Sequence, residues 1–328
     1  MELINALRLT QGLFNATEYG ASPSNTEAQN TTAFSAALTA IIANGGGILF
    51  IPRGLYLGKI SIPAISGTNW LSITVMGESQ PVTVFGTIGT FTLPNNGTII
   101  KSNNTAYGAV VKAEQNTAPG NYMGFSSVHV SLLNLEIRTA NNPAIHGVDL
   151  NYAQQMSAEN LFINNSLYSP ESSDPTNAKV GLITPAVNNG ALTRLQNIVI
   201  SGYHSGIFVN EHTNGDNINI VCCRHGLNFQ ANGHASSFFR YGAYRNTNNI
   251  TVSGAHRFGI FQMNIEHANV DTQTDSNNIW QVTAYDINDP SNLGKCKKIN
   301  YAVVKGDVGP DTTFTKNGGT GITCEEIA

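Results

Sequence analysis

Charge is scarce in this chain. Only 12% of its 328 residues are Asp, Glu, Lys or Arg, the formal net charge is -4 and the isoelectric point is about 6.0. A basic stripe able to neutralise phosphates is missing, which argues against a nucleic-acid partner. No apolar run reaches the length of a membrane span, so no membrane insertion is expected. The opening Met1-Glu2-Leu3-Ile4-Asn5 lacks a basic segment followed by an apolar stretch and a small-residue cleavage site, so export by a signal peptide is not indicated. Cysteine is rare: Cys222, Cys223, Cys296 and Cys324 lack metal-ligand spacing and read as small buried apolar residues, with a Cys296–Cys324 disulfide as the alternative for the last two. Gly45-Gly46-Gly47 is followed by no Gly-Lys-Ser or Gly-Lys-Thr, so it is a turn and not a phosphate loop. No metal and no cofactor are expected.

What the chain has instead is Asn, Thr, Ser and Gln, and a phrase that returns. Asn, apolar, any residue, apolar occurs as Asn134-Leu135-Glu136-Ile137, Asn160-Leu161-Phe162-Ile163, Asn197-Ile198-Val199-Ile200, Asn217-Ile218-Asn219-Ile220 and Asn249-Ile250-Thr251-Val252. A glycine-led phrase alternates with it: Gly147-Val148-Asp149-Leu150, Gly181-Leu182-Ile183, Gly206-Ile207-Phe208-Val209, Gly226-Leu227-Asn228-Phe229 and Gly259-Ile260-Phe261. Two short strands recurring every few tens of residues indicate a stacked solenoid, because one strand pair cannot bury its own apolar face. Stacking predicts an inward column of Ile137, Ile163, Ile200, Ile220 and Val252, and a second of Val148, Leu182, Ile207, Leu227 and Ile260. Alternation then places Asp149, Ile183, Phe208, Asn228 and Phe261 on one external face. The segments Tyr168 to Ala178 and His234 to Asn246 read as loops leaving the coils.

The start of the chain differs. Residues 1–13 read as a leader or a connection. Phe14 to Ala21 reads as a strand and turn. Asn30 is a plausible N-cap for an amphipathic helix of about three turns carrying Ala33, Phe34, Ala37, Leu38, Ile41 and Ile42, which Asn44-Gly45-Gly46-Gly47 ends. The strands Ile48 to Ile51 and Leu55 to Leu57 flank the turn Pro52-Arg53-Gly54.

Tyr19-Gly20-Ala21, the helix, the three glycines and Phe50-Ile51-Pro52-Arg53-Gly54-Leu55-Tyr56 resemble the opening of the pectate-lyase-like β-helix superfamily, of the phage tailspike and tail-fibre type. The usual Asp- and Gly-rich stretch after Tyr-Gly-Ala is replaced here by Ser22 to Gln29. The resemblance implies an all-β, right-handed, single-stranded parallel β-helix with an N-terminal capping helix. Residues 14–60 would form the cap, 61–285 the coils and 286–328 a C-terminal capping segment.

Candidate chemistry lies between the repeats. Glu211 and Asp216 in one coil, with Glu266 and Asp271 two coils later, are the carboxylates suited to acid–base work; two coils are about 10 Å, near the upper end for an inverting glycosidase pair. Their alternative is a set of solvated turn residues. His212 follows Glu211 directly, and strand alternation would send the two to opposite faces. Phe208 and Phe261 would stack on sugar rings or lie under a loop or a second subunit. Asn228, His234 and Arg257 complete a candidate carbohydrate-binding set. No dense Asp cluster like the calcium site of pectate lyases is visible, so hydrolysis ranks above elimination. The resemblance implies a virion-borne homotrimer that binds and depolymerises a bacterial surface polysaccharide beside other tail proteins. A secreted lyase or hydrolase and a non-catalytic adhesive β-helix are the rivals.

Overall fold

The structure, a computed structural model, describes residues 12–66, 70–79, 96–117, 125–139, 145–165, 179–186, 192–230, 236–244, 246, 248–253, 258–266, 280–285 and 314–317; beyond Thr251, apart from Ile260, it is described by its backbone. These residues form a parallel β-helix. Every pairing is parallel, and strands far apart in sequence lie side by side in two continuous sheets of eleven and nine strands. No described helix is long and apolar enough to cross a membrane.

Each coil has three walls rather than the two strands that the repeat suggests. The recurring asparagine lies inside a long strand, not at its start: Ser126–Arg138, Ala153–Asn164, Thr193–Ser201 and Thr213–Val221 each carry it near the middle. Asn134, Asn160, Asn197 and Asn217 have φ of 54°, 54°, 53° and 55°, a left-handed conformation that bends the strand into a first wall before the asparagine and a second wall after it. Asparagine tolerates this backbone, and its amide also stacks. Asn160, Asn197 and Asn217 each donate from Nδ2 to Oδ1 of the asparagine one coil below, at 3.0, 3.1 and 2.9 Å. In the earliest coils the two walls are separate strands, Gly47–Ile51 and Gly54–Leu57, joined at Pro52-Arg53.

The third wall is the glycine phrase, in strands such as His146–Asp149, Val180–Ile183, Ser205–Val209 and His225–Phe229. Its glycines are needed for space rather than for an unusual φ. A Cβ on Gly181 would sit 2.4 Å from Ile200 Cγ2 and 2.8 Å from Gly206 O. The walls therefore meet at contact distance, around a core of mainly Ile, Leu and Val with Ala and a few aromatics such as Tyr203, Phe229, Phe238 and Tyr241.

Both inward columns form, with their last members, Val252 and Ile260, replaced by other residues. Ile137, Ile163, Ile200 and Ile220 are followed by Ala243 in the strand Ser236–Tyr244. Val148, Leu182, Ile207 and Leu227 are followed by Ile250. Val252 thus belongs to the third wall beside Phe229, and Ile260 to the first wall beside Phe238. The expected loop from His234 to Asn246 is in fact mostly this first- and second-wall strand, whose Phe238, Tyr241 and Ala243 point inward while Arg240 takes the asparagine's place at the corner. The segment 168–178 and Cys296 and Cys324 lie outside the described residues; Cys222 and Cys223 are buried free thiols.

The cap helix α1 is longer than expected, Glu27–Ala43, and its N-cap is Thr26 rather than Asn30. Thr26 and Gln29 form a reciprocal capping box. Asn30 is buried one turn further on, where its Oδ1 accepts from Ser22 N at 2.9 Å and ties down the preceding turn. Gly45 and Gly46, both at positive φ, close the helix by donating to the carbonyls of Ile42 and Ile41. Phe34, Leu38 and Ile41 then cover the open end of the core, with Phe34 against Tyr56 at 6.2 Å between ring centres.

Candidate functional site

The three walls present three different outer surfaces. On the third wall the outward row runs Lys112, Asp149, Ile183, Phe208, Asn228 and Thr251. Phe208 is half-buried, and Asn228 is only 8% exposed. Asn228 Oδ1 accepts from Gln230 Nε2 at 2.8 Å, and Asp149 Oδ1 accepts from Asn151 N at 3.1 Å. At the lower end Glu114 accepts from Lys112 Nζ at 2.7 Å, from Lys59 Nζ at 3.1 Å and from Ser61. Burial alone would raise the Glu114 pKa, but these bonds outweigh it and hold it at about 2. At the upper end His225 donates to or accepts from Thr251 Oγ1 at 2.8 Å and lies 5.0 Å from the His204 ring. Burial, then His204 and Arg224, push its pKa down to about 4.

On the second wall the outward Glu136 and Arg138 are buried as a bidentate pair, Nη2 to Oε2 at 2.9 Å. Burial raises the Glu136 pKa against the opposing pull of Arg138.

The first wall is open. His129, Ser131 and Ser157 share hydrogen bonds, with Ser131 to Ser157 at 2.7 Å, and Ser237 donates to Asn214 at 2.5 Å. Asp216 receives both Nε and Nη2 of Arg240 at 2.7 Å, which together hold its carboxyl below the usual range. Between these clusters Glu159, Arg194 and Gln196 are exposed and, among the described residues, their side chains have no partner. Exposed apolar groups border the strip: Trp70 at 57%, Leu192 at 49% and Phe239 at 55%.

Of the sequence-chosen carboxylates, Glu211, Asp216 and Glu266 fall on different parts of the coil. Asp216 is on the first wall. Glu211 lies at the turn from the third wall into the next coil, 3% exposed, with its Oε2 2.7 Å from His212 Nδ1. The two are partners after all, because this is a turn with His212 at φ 31° and strand alternation does not apply. Glu266 ends the second-wall strand Phe258–Glu266, at the register position above Tyr244. Phe261 belongs to that strand's first-wall half, so it does not share a face with Phe208. Asp271, His234 and Arg257 lie outside the described residues. Glu159, Arg194, Gln196 and Phe239 were missed, although a signal existed. The repeat extends upstream of the asparagine, in Ala158-Glu159-Asn160, Leu195-Gln196-Asn197 and Gly215-Asp216-Asn217, and fixes an outward residue just before each corner.

Against this geometry, the sequence profile of the family described as rhamnogalacturonase A/epimerase, pectate lyase-like, matches residues 13–255. The chain belongs to this family. No curated protein sequence matches it. Among solved structures this family member is similar to ORF18 of Geobacillus virus E2, with 13% identity and a TM-score of 0.44 over 82% of this chain and 60% of that one. It therefore spans less than two thirds of the viral protein. A second similar structure is 1,3-α-1,4-β-D-galactose-4-sulfate-3,6-anhydro-D-galactose-2-sulfate 4 galactohydrolase, with 12% identity and a TM-score of 0.47 over 88% of this chain and 71% of that one. A third is PfbA, a surface adhesin of Streptococcus pneumoniae, with 16% identity and a TM-score of 0.31 over 96% of this chain and 81% of that one. Among the described residues no group of three or more His, Cys, Asp or Glu is placed to hold a metal ion.

Proposed function

We propose that this chain is a phage tailspike-type β-helix that binds a bacterial surface polysaccharide and cleaves it by glycoside hydrolysis, working as a homotrimer. The first wall carries the binding half of this reading. Exposed hydrogen-bonding side chains, Glu159, Arg194 and Gln196, set between small polar clusters and bordered by exposed Trp70 and Phe239, suit a ligand rich in hydroxyls. Purified capsular polysaccharides and O-antigens offered to the full chain should include one that it retains on co-sedimentation. Retention of none would sink the reading.

Glu266 is the carboxylate assigned to cleavage, with the partner carboxylate supplied across a subunit boundary or by Asp271. Glu266→Gln should abolish the release of new reducing ends and leave retention intact. Sedimentation of the protein as a monomer would remove the trimer from the proposal.

A specific observation favours a second reading, adhesion without catalysis. The carboxylates Glu114, Glu136, Glu211 and Asp216 each already have a cationic or imidazole neighbour within hydrogen-bond reach. Retention of a polysaccharide with no new reducing ends from the wild-type chain would decide for adhesion.

A further inference from the structure

We infer that the ligand is an extended, uncharged stretch of glycan lying along the solenoid axis on the first wall, one sugar per coil from Glu159 to Phe239. This rests on the polysaccharide reading and adds the face, the direction and the chemistry of recognition.

Glu159, Gln196, Asp216 and Phe239 occupy one outward row on four successive coils. With rungs about 4.8 Å apart the row spans about 14 Å, and each step is close to the length that one pyranose adds to an extended chain. The bonding pattern is mixed. Glu159 only accepts, Gln196 both accepts and donates, and Arg194 beside them only donates. Hydroxyls, which give and take at the same atom, are matched by such a mixture. Phe239 at the upper end offers an exposed ring to the apolar face of a sugar. Charge points the same way. Glu159 and Asp216 are balanced by Arg194 and Arg240, so the strip offers an anionic chain no net field. A protein partner would want an apolar centre with a polar rim. Here the centre of the row is polar and the exposed apolar residues lie at its borders.

The test uses the full chain and the polysaccharide retained in the co-sedimentation experiment, with its oligosaccharides of increasing length titrated calorimetrically. Affinity should climb steeply until four sugars are present and then flatten. Glu159→Ala, Gln196→Ala and Phe239→Ala should each weaken binding about tenfold, whereas Asn228→Ala and Phe208→Ala on the third wall should change it less than twofold. A tenfold rise in salt should also change it less than twofold. Undiminished affinity in the triple first-wall variant, with native circular dichroism, would overturn the placement while the polysaccharide reading stands. A steep fall of affinity with salt would overturn the uncharged ligand. A panel in which no polysaccharide is retained removes both.

Discussion

The first and third walls are built from one repeat and carry opposite kinds of surface. On the third wall Asp149, Asn228 and Glu114 spend their hydrogen bonds on their own neighbours. On the first wall Glu159, Arg194 and Gln196 spend none on any described residue. The difference follows from position in the coil. The third wall packs its glycines directly against the second wall's isoleucines, so its strands are pinned from inside and its outer groups close on short local turns. The first wall is stiffened at one edge by the asparagine ladder and bridged between coils by Ser131–Ser157, Asn214–Ser237 and Asp216–Arg240, which leaves Glu159, Arg194 and Gln196 between them without a structural bond among the described residues. A rigid backbone with idle polar side chains is the preorganised state that ligand binding favours, since little ordering remains to be supplied on association.

The strongest way to break the comparison is to crowd the third wall. Gly181→Ala places a methyl 2.4 Å from Ile200 Cγ2 and against the Gly206 carbonyl, and backbone cannot yield as a side-chain end can. A loss of about 3 kcal/mol is expected in denaturant unfolding, even after the entropy that alanine removes from the unfolded chain. A stable Gly181→Ala variant would mean that the walls do not touch as described.

The corner comes next. Asn197→Ala removes one ladder bond to Asn160 and one from Asn217, and leaves a β-carbon at φ 53°. The expected loss is about 2–3 kcal/mol, from about 1 kcal/mol per bond plus about 1 kcal/mol of backbone strain. Asn197→Gly relieves the strain but not the lost bonds, and should recover about 1 kcal/mol. Equal losses in the two variants would assign the whole effect to the ladder.

The scaffold was legible because its signal is periodic. Ile137, Ile163, Ile200 and Ile220 stack as their spacing requires, since a solenoid repeats its inward positions in both sequence and space. The reading slipped where the periodicity does. Arg240 replaces asparagine at the corner, so the strand Ser236–Tyr244 carries no phrase to mark it, and the next Asn and Gly phrases were credited to the wrong walls. The site was less legible for a related reason. Outward residues are not constrained by packing, so Glu159, Arg194 and Gln196 follow no pattern of their own, and only their place before each asparagine locates them. The His212–Glu211 pair was hidden by treating a turn as a strand.

Acid gives a weaker handle on the third wall. Glu114 has a folded pKa of about 2 against an ordinary 4.5, so its bonds stabilise the fold above the ordinary value, and that contribution is lost as pH falls from about 4.5 towards 2. His225 works in the neighbouring window. Its pKa of about 4 lies below the ordinary 6.5, so the unfolded chain takes up the proton first and stability falls as pH drops from about 6.5 to 4. Glu114→Gln should flatten the unfolding midpoint below pH 4.5 and leave the His225 window unchanged. A flat wild-type profile in both windows would show that these groups are solvated.

The smallest effect is the one expected of the first wall itself. Glu159 and Gln196 are exposed and bond to no described side chain, so Glu159→Ala and Gln196→Ala should shift stability by no more than about 0.5 kcal/mol each, the usual range for surface sites. Glu159 and Gln196 are register partners on adjacent coils, about 4.8 Å apart, so the double variant compared with the two single ones reads out any coupling between them. If melting stays put while glycan affinity falls, the open wall is a surface kept for binding. If melting falls with it, these side chains hold the coil together after all, and the contrast between the two walls disappears.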